Sequence, residues 1–362
     1  MSTSTTHSQP SVSAVSSGAA PKVSSSTEIS SLTETSSSAA TVTFPAVYRP
    51  PRTYSRAGKR KYRVTLWRML VSELIKLRSL VSTYWLLALT LAFAISITAI
   101  SVWTIGFTAR IDSEGNMHDT IQRSVEATLL WQSVSASLNI VIIVVAILGV
   151  LNMSGEYSTG LIRSTLLASP SRWRVYLAKV MVIAATSFVA TLVAFSLSWA
   201  LASIMSASWD VHALTDSQWR LPWVVLLLGP ALAALIALIG LGFGALTRST
   251  AGGIGIVIVI IFVLPTVFSI ISIASSELSW FESVNACLPS HAIDIAMSGG
   301  LSADSAQEAV SVSADGQAIV DAAQTAAKQW TPNWWQSALV VAAWSMVINI
   351  AGYARFARSD VQ

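Results

Sequence analysis

Residues 129–153 read LLWQSVSASLNIVIIVVAILGVLNM, a run without a single Asp, Glu, Lys, Arg or His. Wound as an α-helix at about 1.5 Å per residue, it outreaches the roughly 30 Å hydrocarbon core of a bilayer. The run is continuously apolar. A strand of a membrane barrel would instead alternate over about ten residues. Further runs of the same kind lie at about 84–107, 180–205, 221–246, 251–274 and 335–354. The pattern predicts an all-α, polytopic membrane protein with six transmembrane helices.

Composition agrees. Of 362 residues, 53% are hydrophobic and 11% are Asp, Glu, Lys or Arg. A soluble domain carries roughly 25% of those charged types. Mean hydropathy is +0.61. There is too little charge to cover a water-soluble surface, and no broad basic surface for nucleic acid. Residues 1–44 differ in kind, with 23 Ser or Thr and neither Trp nor Tyr. Such a segment buries too little apolar area to offset its ordering entropy. Residues 1–61 therefore read as a disordered Ser/Thr-rich tail and linker ahead of a six-helix transmembrane domain at 84–358.

The few charges set the expected orientation. With the N-terminus inside, segments 1–83, 154–179, 247–250 and 355–362 hold 18 of the 22 Lys and Arg. The outside segments hold only Arg110, Arg123, Arg220 and Lys328, together with 13 of the 18 acids. By the positive-inside rule both termini are cytoplasmic. Trp85, Trp131, Trp209, Trp219, Trp223, Trp334 and Trp335 fall near span ends, as an interfacial aromatic belt or as bundle packing.

The expected spans contain no ionisable residue; their strongest polar groups are Asn139, Asn152 and Asn349. Proton- and cation-coupled carriers place carboxylates, His or Lys there, so this pattern argues against them. Gly240 and Gly244 form a small-xxx-small pair suited to close helix packing. Pro230 and Pro265 should bend the fourth and fifth spans. The four His are scattered without metal-ligand spacing, Cys287 is the one Cys, and no phosphate-binding loop occurs. The chain is therefore expected to bind no cofactor or metal and to catalyse nothing by itself.

Two cytoplasmic segments remain. Residues 62–83 form an amphipathic helix suited to lie on the inner leaflet, with Trp67, Leu70, Val71, Leu74 and Ile75 opposite the polar positions. Its Arg68, Glu73, Lys76 and Arg78 are the candidate interfacial residues. Residues 154–179, SGEYSTGLIRSTLLASPSRWRVYLAK, are longer than a plain turn requires. A short helix over Glu156–Ala168 is expected, interrupted at Ser169-Pro170, with Ser171 capping the next helix.

The order Glu156, Tyr157, Gly160, Arg163, Thr165, Leu166, Pro170, Arg172, Lys179 resembles the cytoplasmic loop of ABC-2 type transporter permeases, with Leu161 where Thr is usual. Ser72-Glu73-Leu74-Ile75-Lys76-Leu77-Arg78-Ser79 resembles that family's approach to its first span. Cys287-Leu288-Pro289-Ser290-His291-Ala292 is similar to its extracellular segment before the last span, though Ile293 replaces a usual Gly. The resemblance covers about 62–358. It implies a plasma-membrane exporter subunit that pairs with a second permease and with a separate ATP-binding subunit carrying ATP and Mg. Glu156, Tyr157, Gly160, Arg163, Thr165 and Leu166 would then meet that ATPase. Leu288 and Pro289 would line an extracellular gate, beneath an acidic loop at 275–334 whose residues near 281–298 dip back into the membrane. The rival readings are an ATP-independent secondary transporter or channel, and a membrane anchor or sensor without transport.

Overall fold

The computed structural model describes residues 65–111, 115, 117–118, 124–161, 171–216, 218–274, 279–300 and 332–358. The tail at 1–61, most of the acidic loop and the stretch 162–170 lie outside these. Six helices are long and apolar enough to cross a membrane: Val81–Thr108, Ala127–Ser158, Arg172–Met205, Leu221–Thr247, Thr250–Ile271 and Trp334–Arg358. The expected six-span, all-α architecture is present. Among the described residues, strand is confined to β1 (Val125–Glu126) and β2 (Val211–His212), paired in parallel with Val125 opposite Val211.

Helix α1 (Leu66–Ser79) ends where Leu80 turns extended, and α2 (Val81–Thr108) starts at once. The apolar face of α1 points outward: Trp67, Leu74 and Ile75 are exposed, while Met69, Glu73 and Leu77 are buried. This is the arrangement of a helix lying against lipid with one stripe held by the bundle. The second span is jointed, α3 (Ala127–Ala136) passing through Ser137 into α4 (Leu138–Ser158).

Helix α4 corrects one expectation. Glu156 and Tyr157 form its last turn rather than the start of a separate helix over Glu156–Ala168. The chain then turns at Gly160, whose φ of +70° suits glycine. Ser171 stands at the N-cap position of α5 (Arg172–Met205), which begins well before the apolar run does. Arg172, Arg174 and Lys179 therefore belong to one rod with the third span.

Helix α6 (Gly229–Thr247) is the centre of the bundle and packs on α4, α5 and the last helix, α11 (Trp334–Arg358). Its crossing with α4 is backbone to backbone. A Cβ on Gly240 would overlap the Ala146 carbonyl, and one on Gly149 would overlap the Ala237 carbonyl. Gly240 thus acts as the small-residue pattern anticipates, with Gly149 as its unforeseen counterpart.

The two prolines share a local solution. A five-residue π-helical stretch, Val224–Leu228, leads into α6 and Pro230. A second, Val259–Val263, joins α7 (Thr250–Ile258) to α8 (Leu264–Ala274) and precedes Pro265. The ring removes one donor and crowds the preceding turn, and the wider π turn makes room for it.

Asn349 ties three helices together. Its amide nitrogen donates to Leu238 O at 3.0 Å and Ser345 O at 2.8 Å, and its oxygen accepts from the Tyr176 hydroxyl at 2.9 Å. Of the belt candidates, Trp131 is a packing residue, buried and stacked on Trp199 at 3.6 Å between ring centres. Trp85, Trp219, Trp223 and Trp335 are exposed.

Candidate functional site

The strongest electrostatic feature lies where α1, α4 and α5 meet. Glu73, on α1, sits on the buried stripe with Met69 and Leu77, at spacings of four residues that place all three on one helical face. Glu156 is carried there by the last turn of α4 and Lys179 by the first part of α5. Lys76, one turn beyond Glu73, closes the group. Lys179 Nζ donates to Glu73 Oε2 at 2.6 Å and to Glu156 Oε1 at 2.7 Å. Lys76 Nζ donates to Glu73 Oε1 at 2.8 Å and to Glu156 Oε1 at 2.9 Å.

Lys179 is 2% exposed, Glu73 4% and Glu156 7%. Ions so buried persist only when paired and hydrogen-bonded, because each carries a desolvation cost of several kcal/mol. Two carboxylates and two ammoniums bring the cluster to zero net charge. Burial alone would lower the pKa of Lys76, but the hydrogen bonds and charges of Glu73 and Glu156 outweigh it and hold the ammonium above its ordinary value. The consequence is mechanical: the surface helix, the end of the second span and the start of the third are joined by charge-assisted bonds into one unit.

Tyr157 lies beside this unit, its ring covered by the Arg248 guanidinium at 5.6 Å. Arg172 Nη1 donates to Ala357 O at 2.8 Å and Phe356 O at 3.4 Å, which holds the end of α11 to α5. Arg68 and Arg78 are exposed on α1. Glu73 and Lys76, grouped with them on sequence, turn inward instead. Arg163, Thr165 and Leu166 lie outside the described residues.

Leu288 and Pro289 sit at the other end of the bundle, where Leu288 follows α9 (Ser279–Ala286) and Pro289 opens α10 (Pro289–Met297), both buried. The Cys287 carbonyl accepts from Trp344 Nε1 of α11 at 2.9 Å, and Asn139 Nδ2 donates to Asp294 Oδ1 at 3.1 Å. These bonds fasten the short helices to α11 and α4. Lys179 enters the sequence reading only as the last position of the loop pattern, whereas the structure puts it at the centre of the cluster. The available signal was Glu73 and Glu156 themselves, acids on an otherwise basic side that call for buried partners.

Six bundled helices long and apolar enough to cross a bilayer define a multi-pass membrane protein. The family model for ABC-2 family transporter proteins matches residues 74–361, and the chain belongs to that family. It is a membrane permease of an ABC-type system, the transmembrane and non-catalytic component, and the family implies an ATP-binding partner. A search of curated proteins finds no match to the chain.

Proposed function

We propose that this chain is the translocating subunit of an ATP-driven exporter in the plasma membrane, with both termini cytoplasmic. ATP and Mg are bound and hydrolysed by a separate subunit that docks at the turn between α4 and α5, and a second permease completes the pathway. The observation that carries this reading is the ionic joint of Glu73, Lys76, Glu156 and Lys179. A push on residues 157–171 reaches α4 and α5 directly and α1 through the joint, so three elements move as one lever. Glu156 and Lys179 act as positioning residues in this scheme, because their bonds lie inside the protein. Tyr157, Gly160 and Arg163, with Thr165 and Leu166, supply the docking surface. The charge distribution supports the orientation. The apolar runs within the spans, at about 84–107, 129–153, 180–205, 221–246, 251–274 and 335–354, carry no Asp, Glu, Lys, Arg or His, which suits a hydrophobic or amphipathic cargo, and Leu288 and Pro289 gate its exit.

The test is reconstitution of the full chain with its ATP-binding subunit in vesicles. The proposal expects cargo flux that requires ATP and stops when Tyr157→Ala and Leu161→Ala are combined, with the permease still folded. Flux that persists without ATP or the ATPase would establish a secondary transporter or channel instead. A stable complex whose ATP turnover never responds to cargo would mark an anchor or sensor.

A further inference from the structure

At the end of the bundle that carries the ionic joint, a groove of about 540 Å³ runs between the turn after α6 and the last turns of α11. Arg248, Arg355 and Arg358 line it, with Ala351 and Ala354. The backbone builds one wall deliberately. Arg248 caps α6 in the left-handed region, φ 54° and ψ 16°, where glycine or asparagine is the usual residue. A side chain there costs on the order of 1 kcal/mol. The position ends α6 abruptly, and the Arg248 guanidinium reaches α11, where Nη2 donates to Arg355 O at 3.4 Å. Stacking on the Tyr157 ring fixes it further.

Among the described residues the groove's lining is cationic and small, with no acid. Three guanidiniums, permanently charged, converge there on alanine methyls. The face of α11 continues upward from the groove. Val347, Ile350, Ala351, Ala354 and Arg358 recur at three- and four-residue spacing and share one side of the helix. Val347 and Ile350 are 64% and 57% exposed, as lipid-facing residues are. Along this one face the surface passes from apolar, through small, to cationic over the last turns.

We infer that the groove is a binding site for one anionic phospholipid, its phosphate held by Arg248, Arg355 and Arg358 and an acyl chain lying along Val347 and Ile350. Charge complementarity selects an anion, and the adjoining apolar face selects one with a hydrocarbon tail over a free ion. Planar guanidiniums suit phosphate because they donate two parallel hydrogen bonds. The site does not depend on the exporter reading, since it needs only that α11 crosses the membrane.

Native mass spectrometry of the purified full chain, titrated separately with phosphatidylglycerol, phosphatidylcholine and inorganic phosphate, tests the assignment. The expected result is one phosphatidylglycerol bound on the order of a hundredfold more tightly than phosphatidylcholine, because three basic residues near the headgroup contribute about 1 kcal/mol each and each 1.4 kcal/mol is about tenfold. Combining Arg355→Gln with Arg358→Gln should remove most of that preference. Arg248→Gly, which keeps the left-handed backbone without strain, should weaken it several-fold in a protein that still folds. Combining Arg68→Gln with Arg174→Gln removes the same charge from outside the groove and should change binding less than twofold. Equal losses from the two double variants would overturn the site in favour of diffuse surface charge. Displacement of the lipid by an equal concentration of inorganic phosphate would show a soluble-anion site. If the groove variants release the ATP-binding subunit and leave lipid binding intact, the groove serves an acidic protein partner and the inference fails.

Discussion

Replacing Lys179 with Met tests the buried joint most severely. The substitution keeps length and removes the ammonium that touches Glu73 at 2.6 Å and Glu156 at 2.7 Å. Lys76 alone then faces two buried carboxylates, and the cluster changes from neutral to a net charge of −1. Breaking a buried ion pair by removing one partner costs about 3–5 kcal/mol, chiefly because a charge is left uncompensated. Scaled by the 2–4 °C per kcal/mol seen for domains of 150–250 residues, the melting temperature should fall by at least roughly 6 °C. The assay is thermal unfolding of the purified full chain in a neutral detergent, followed by intrinsic tryptophan fluorescence. A second variant separates charge from packing. Adding Glu73→Gln to Lys179→Met restores neutrality, with Lys76 and Glu156 still paired, and should recover at least half of the loss. If Lys179→Met shifts the transition by about 1 °C or less, or if the double variant is no better than the single, charge balance does not hold this joint together.

Four other outcomes follow from the same structure. Gly240→Leu should abolish accumulation of folded protein, because its Cβ would overlap the Ala146 carbonyl, whereas Gly252→Ala, with nothing closer than 3.5 Å, should be tolerated; expression and gel-filtration profiles distinguish them. Asn349→Leu should destabilise by about 1–3 kcal/mol, read from chemical denaturation, because it strands the Tyr176 hydroxyl and the Leu238 carbonyl. The stabilising contribution of Lys76 is present below its ordinary pKa of 10.5 and is lost as pH rises through the elevated value in the fold, so the stability gap between wild type and Lys76→Met should be constant from about pH 8 to about pH 10. In a Cys287→Ala background, Asp315→Cys should react with an impermeant thiol reagent on intact cells, and Ser25→Cys only after permeabilisation, if both termini are cytoplasmic.

The spans were legible in the sequence because a bilayer makes one demand, continuous apolarity over about 20 residues, which no neighbouring helix can change. The start of the third helix at Arg172 was legible too, from Ser171 following Pro170; the carbonyl and carboxylate partners that Arg172 and Lys179 find were not. Gly240 was readable as a packing residue; its counterpart Gly149 was not, because only the crossing of α4 and α6 puts them together. The same holds for the candidate site. Glu73 and Glu156 could each be singled out, but they lie on different helices and no periodicity links them. Their pairing through Lys179 is a tertiary fact, and so is the inward turn of Lys76. The π-helical turns before Pro230 and Pro265 were not legible, because the missing donor signals a disturbance without saying that the preceding turn widens to take it up.

The central claim is that the turn between α4 and α5 receives a separate ATP-binding subunit. A photoreactive amino acid at Leu161, exposed at that turn, tests it most directly when the full chain is expressed with the ATPase in its native membrane. The expected result is a specific crosslink between the two chains whose yield changes when ATP is added, and no such product from the same probe at Val347 on the exposed side of α11. An ATPase that co-purifies yet never crosslinks at Leu161, while crosslinking elsewhere on the chain, would contradict it.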